Sequence, residues 1–253
     1  MGKDKLRKFK ENETFRCLVQ PRTEEVFMKD HPLKGNWGKD VFGGPAPIVV
    51  ELGCGKGEYT IDLSLRNPGC NYIGVDIKGA RLWKGAKYAE EHGLPNVAFL
   101  RTRIEFITSL FAPGEVSEIW ITFADPQIHR EKKRLTSPLF MERYRSILSR
   151  GGIVHLKTDS RYLYEYSLAM ARQNGLEILA EAIDIYGADR ERLYASQMSS
   201  VCGKDAVDAL FEVQTFYEKQ YLAQGIPITY LAFRIDKEGP YVSPEWDEDS
   251  WER

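Results

Sequence analysis

Between residues 48 and 235 the chain alternates short β-branched runs with longer stretches of helical period. Strands separated by helices pair in parallel, because each helix carries the chain back across the sheet before the next strand begins. The runs at 48–52, 71–77, 97–100, 118–123, 153–157, 177–183 and 229–235 predict strands, and 58–66, 80–91, 104–111, 139–148, 161–173 and 215–223 predict helices. The expected fold is α/β, a doubly wound, mostly parallel seven-stranded sheet of Rossmann-like type. Residues 1–40 read as a basic, partly flexible arm, 41–235 as the main domain and 236–253 as an acidic tail. Within the domain, 186–212 shows no period and reads as an insertion between the last two strands.

In an open parallel sheet, ligands bind beyond the carboxyl ends of the strands. Those ends carry Glu51, Asp76, Asp125 and Asp159. A carboxylate there has a plainer use, since it caps the helix that follows. Four on one rim, each with a distinctive neighbourhood, favour a ligand site.

The first strand runs into V-E-L-G-C-G-K-G-E (50–58), a glycine turn that opens a helix. Gly53 and Gly55 allow a tight turn and a close ligand approach. The spacing is not the G-x-G-x-x-G that seats a pyrophosphate on a helix N-terminus, and Glu51 would repel one. A carboxylate suits a ligand bearing an ammonium or sulfonium group. Asp76 follows Gly53 by 23 residues, where an acid accepts hydrogen bonds from ribose hydroxyls. These features favour S-adenosylmethionine over a nicotinamide dinucleotide.

Net charge is -2 with pI near 6.2, so affinity for nucleic acid has to be local. Residues 1–10 are one basic concentration, and 126–150 hold seven Lys or Arg against Glu131 and Glu142. The tail from 236 onward carries seven acidic residues and few aliphatics, the composition of a solvated end. Four cysteines show no CxxC pair and no zinc-ligand spacing, so no metal is expected. No apolar run reaches membrane-spanning length and the basic N-terminus has no signal-peptide pattern, which predicts a reduced cytoplasmic protein.

With Y-I-G-V-D-I (72–77), the glycine turn resembles the first two motifs of class I methyltransferases, and Lys56-Gly57-Glu58 is similar to the bacterial tRNA (guanine-N7)-methyltransferases. Three further segments carry that resemblance. F-A-D-P (123–126) with H-R-E-K-K-R-L (129–135) looks like the family's F-P-D-P-W and its basic trailer. V-H-L-K-T-D (154–159) looks like its h-x-K-T-D strand end, and T-F-Y-E-K (215–219) like its T-x-Y-E element. The chain departs from the pattern at Ala124 and Gln127, in a loop at 125–135 about two residues short, and at Arg103, which replaces an acid after the third strand. A backbone NH at Arg103 or Ile104 would then serve the adenine.

The resemblance implies methyl transfer from S-adenosylmethionine to N7 of a guanine in the tRNA variable loop, position 46 in conventional tRNA numbering. It implies a cofactor site of Glu51, Gly53, Gly55, Asp76, Arg103, Ile104 and Asp125, with Asp125 catalytic. On the substrate side it implies His129, Lys132, Lys133, Arg134, Asp159, Thr215 and Glu218, the basic run meeting phosphates. Thr215 and Glu218 also have the T-x-x-E spacing of a helix capping box. Two rival readings stand: a class I methyltransferase acting on a small molecule or protein, and a non-catalytic RNA-binding protein on the same fold. Monomer and homodimer are both open.

Overall fold

The computed structural model describes residues 3–247. The chain forms two compact units that divide between Ile119 and Trp120.

In the first unit, α1 (Lys3–Asn12), β1 (Leu18–Val19) and α2 (Thr23–Val26) precede β2 (Ile48–Leu52), α3 (Glu58–Arg66), β3 (Asn71–Asp76), α4 (Gly79–Glu91) and β4 (Val97–Arg101). The strands lie in the order β1-β4-β3-β2, all parallel, with Val50 opposite Ile73, Ile73 opposite Ala98 and Leu18 opposite Phe99. Every residue of β2 and β3 is buried, as strands covered on both faces must be. The Phe99 ring fills the space beside the glycine turn. A Cβ at Gly57 or Gly85 would lie 2.5 Å from that ring, so the turn approaches α4 only because both positions lack one. The N-terminal arm is helical here: α1 packs on α4, where Trp83 Nε1 donates to Glu11 at 2.6 Å and Asn12 donates to Gly79 O at 2.9 Å.

From the first unit, β5 (Val116–Thr122) runs on into the second. There follow α5 (Pro138–Arg145), β6 (Leu148–Thr158), α6 (Arg161–Gln173), β7 (Ile178–Ala182), α7 (Arg190–Tyr194), α8 (Gln197–Cys202), α9 (Lys204–Glu212), α10 (Phe216–Ala223) and β8 (Thr229–Arg234). β8 lies between β6 and β7 and is antiparallel to both. Residues 186–212 fold mainly as three short helices, α7 to α9. The described residues hold eight strands where the sequence predicts seven; the extra one is the two-residue β1, too short to show a period. The tail packs as far as it is described. Asn174 exchanges hydrogen bonds with the Val242 backbone at 2.8 and 2.9 Å, and Trp246 meets Tyr162 and Tyr166 edge to face. No described helix is long and apolar enough to cross a membrane.

Candidate active site

In the first unit the turn after β2 needs left-handed backbone three times, at Gly53 (φ 75°), Gly55 (φ 58°) and Gly57 (φ 75°). A side chain at Gly53 would meet nothing within 4 Å, so its backbone faces open space that a ligand can use. The buried Glu51 accepts from the Thr60 amide at 2.9 Å and its hydroxyl at 2.5 Å. That satisfies an amide in the first turn of α3 which has no intrahelical partner. Asp76 ties the next strand to the turn, accepting from Gly55 N at 3.0 Å and Lys78 N at 2.7 Å. Glu51 therefore does the capping work of the plainer reading, whereas Asp76 braces the glycine turn and the approach to α4 rather than capping a helix. Burial holds the Cys54 thiol well above its ordinary range, and the charges of Glu51 and Asp76 push it further. The field that disfavours a thiolate there favours a sulfonium cation. Arg103, at the N-cap of the short 3₁₀ helix Ile104–Ser109, is exposed and pairs with Glu105 at 3.0 Å.

In the second unit, β5 leads into a loop with two strained residues, Phe123 (φ 50°) and Gln127 (φ 49°). Between them the exposed Asp125 accepts the Gln127 amide at 3.0 Å. His129, Arg130, Lys132 and Lys133 are exposed. Arg134 is not, and this corrects the expectation that it touches phosphate. It is fully buried, its Nε donating to Pro126 O at 3.0 Å and its Nη2 to Gln127 O and Ile128 O at 3.0 and 2.9 Å.

β6 delivers Asp159, which is half-buried; burial raises its carboxyl above the usual range, partly offset by hydrogen bonds from its own backbone and the Tyr221 side chain. Ser160 caps α6 directly behind it, accepting from Leu163 N. Tyr221 also stacks on Phe123, with ring centroids 6.2 Å apart. Thr215 and Glu218 form the capping box of α10: Thr215 Oγ1 accepts Glu218 N at 3.2 Å, and Glu218 Oε2 accepts Thr215 N at 3.3 Å. Glu218 is fully buried and pairs with Lys157 Nζ at 2.6 Å. It does not present its carboxylate to a substrate, a second departure from the expectation. Thr215, half-buried at the helix start, keeps a hydroxyl proton to donate.

Lys157 and Tyr221 are the residues that sequence reasoning passed over. Lys157 is fully buried and donates to Leu210 O at 2.7 Å as well as to Glu218, so it fastens α9 and α10 to the strand that leads into Asp159. Burial pushes its ammonium down to about 8, with Glu218 pulling the other way. The signal was a lysine inside the apolar run 153–157, a residue type almost never buried without a partner. Nothing local marks Tyr221.

The fold is similar to that of a solved 16S rRNA methyltransferase, KamB, with TM-score 0.55 at 14% identity over 81% of this chain and 92% of that one. A solved antibiotic-related methyltransferase gives TM-score 0.51 at 16% identity over 82% and 96%. A family model described as a putative methyltransferase matches residues 45–196. Fold and family place the chain among the class I methyltransferases, whose methyl donor is S-adenosylmethionine. Its relatives narrow the class. A tRNA (guanine-N(7)-)-methyltransferase of Christiangramia forsetii is 51% identical over 236 residues, 92% of this chain and 99% of its own length. One from Bacteroides fragilis is 43% identical over 245 residues, 97% and 91%. The chain belongs to the tRNA (guanine-N7)-methyltransferase family.

Proposed function

We propose that this protein transfers the methyl group of S-adenosylmethionine to N7 of the guanine at position 46, in the variable loop of tRNA. The observation that carries the reading is the 51% identity to an enzyme of that name over nearly its whole length. Guanine N7 is a lone-pair nucleophile with no proton to lose, so no general base has to act before attack. Positioning dominates, with N7 in line behind the methyl carbon. When bound, the cofactor supplies an activated methyl on sulfur. The open backbone at Gly53 and Gly55 and the carboxylates of Glu51 and Asp76 would hold it, with a backbone NH at Arg103 or Ile104 on the adenine.

As positive charge moves onto the purine, the Asp125 carboxylate stabilises it, while its fixed turn costs little reorganisation. Asp159 and the Thr215 hydroxyl hold the base edge or the adjoining ribose. His129, Lys132 and Lys133 meet backbone phosphates, and the substrate puts the enzyme in the cytoplasm. Labelled cofactor and unmodified tRNA should yield labelled 7-methylguanosine, lost when the variable-loop guanine is replaced. Label in another nucleoside, or none, would overturn the proposal.

A further inference from the structure

The Asp125 loop is held from behind. Three successive carbonyls, Pro126, Gln127 and Ile128, converge on the Arg134 guanidinium, and Tyr162 OH donates to Ile128 O at 3.1 Å. Those bonds hold Gln127 in a left-handed conformation that strains a residue with a side chain. The guanidinium lies 3.9 Å from the Tyr166 ring centre and 5.0 Å from that of Tyr162. Tyr162 and Tyr166 are four apart on α6 and so share a face. Tyr166 OH also donates to Glu131 at 2.6 Å, tying down the basic turn that carries Lys132 and Lys133.

Both tyrosines meet one further ring. Trp246 packs edge to face against Tyr162 at 5.8 Å and Tyr166 at 5.6 Å, with interplanar angles of 76° and 89°. The chain just before it is anchored: Tyr241 N donates to Glu142 at 3.1 Å, and Val242 is bonded in both directions to Asn174. An acidic tail with the composition of a solvated end thus delivers an indole to the rings that hold Arg134.

We propose that Trp246 is a positioning residue for the Asp125 loop, acting through Tyr162, Tyr166 and Arg134. Dispersion and cation–π attraction are strongest away from water. Losing the indole admits water to the two rings, loosens Arg134 and lets Gln127 leave its strained conformation. Asp125 then spreads over many positions, which weakens its action in the transition state more than it weakens tRNA binding. The catalytic part of this inference rests on the proposed methyl transfer; the ordering of the loop does not.

The test compares full-length wild type, W246A and W246F, each verified as folded by circular dichroism at the assay temperature. Single-turnover methylation at saturating tRNA should fall about tenfold in W246A and recover most of the loss in W246F. The Kd for S-adenosylhomocysteine should stay within twofold throughout. Trypsin cleavage after Lys132 and Lys133 should quicken several-fold in W246A and return toward wild type in W246F. Unchanged cleavage and rate in W246A, or equal losses in both variants, would overturn the inference. If wild type forms no 7-methylguanosine, methyl transfer is wrong and the cleavage comparison alone decides whether Trp246 orders the loop.

Discussion

Asp125 Oδ1 accepts the Gln127 amide at 3.0 Å, a bond an asparagine oxygen makes equally well. Asp125→Asn therefore preserves the turn and removes only the charge. Single-turnover methylation of saturating tRNA should drop by roughly two orders of magnitude, the scale of one lost preorganised electrostatic contact. A near wild-type rate would confine Asp125 to the turn. Lys157 poses the opposite case, a charge needed for architecture. Lys157→Met leaves Glu218 buried without its cation and should cost about 3–5 kcal/mol in denaturant unfolding, with Glu218→Gln added recovering part. The pH dependence carries a defined sign. An unfolded lysine keeps its proton to about 10.5, whereas buried Lys157 releases it near 8. Between those values the unfolded chain binds more protons, so this group makes stability rise with pH. Wild type should show that rise and the double variant should lack it; equal slopes would mean that Lys157 is solvated.

At the scale of elements, the turn at Glu131–Lys133 ends in two exposed lysines, and the next residue, Arg134, is buried. Of these three cations, the two lysines alone present their charge to phosphate. Lys132→Ala with Lys133→Ala should weaken tRNA binding and shrink the slope of log K against log salt by roughly 1.5, at about 0.7–0.9 per lost contact. A slope equal to wild type would mean those lysines face only solvent. No local feature distinguishes Lys133 from Arg134, because the rings that bury the guanidinium come from α6, far along the chain. Most strands were legible because continuous apolar runs show a buried strand directly; β1 was not, with only two residues. The segment at 186–212 hid α7 and α8 because, at five and six residues, they are too short to show a period. Strand-end acids were legible from topology alone. Whether Glu218 faces a ligand or the core was not, since T-x-x-E fits both, and its burial depends on Lys157 reaching it from β6.

For the whole molecule, a net charge of -2 leaves no general attraction for RNA, so tRNA recognition rests on particular exposed groups. The glycine turn with Glu51 and Asp76 belongs to the first unit, while Asp125, the basic turn and Asp159 belong to the second. The proposed ligands divide the same way, which makes the thermodynamics separable. Asp76→Ala removes an acceptor that also pins Gly55, so calorimetric binding of S-adenosylhomocysteine should weaken by about 1.5–3 kcal/mol. The Lys132/Lys133 double variant should leave that affinity untouched and lower only tRNA binding. Combined, the losses in kcat/KM, taken under tRNA-limited and cofactor-limited conditions, should add to within about 0.5 kcal/mol, as independent sites do. Asp159→Ala falls in the second class, raising the KM for tRNA and lowering the rate while sparing the cofactor. If Asp76→Ala instead left cofactor affinity unchanged and altered the tRNA term, the carboxylate at the end of β3 would serve the substrate, and the cofactor would have to be sought elsewhere on the chain.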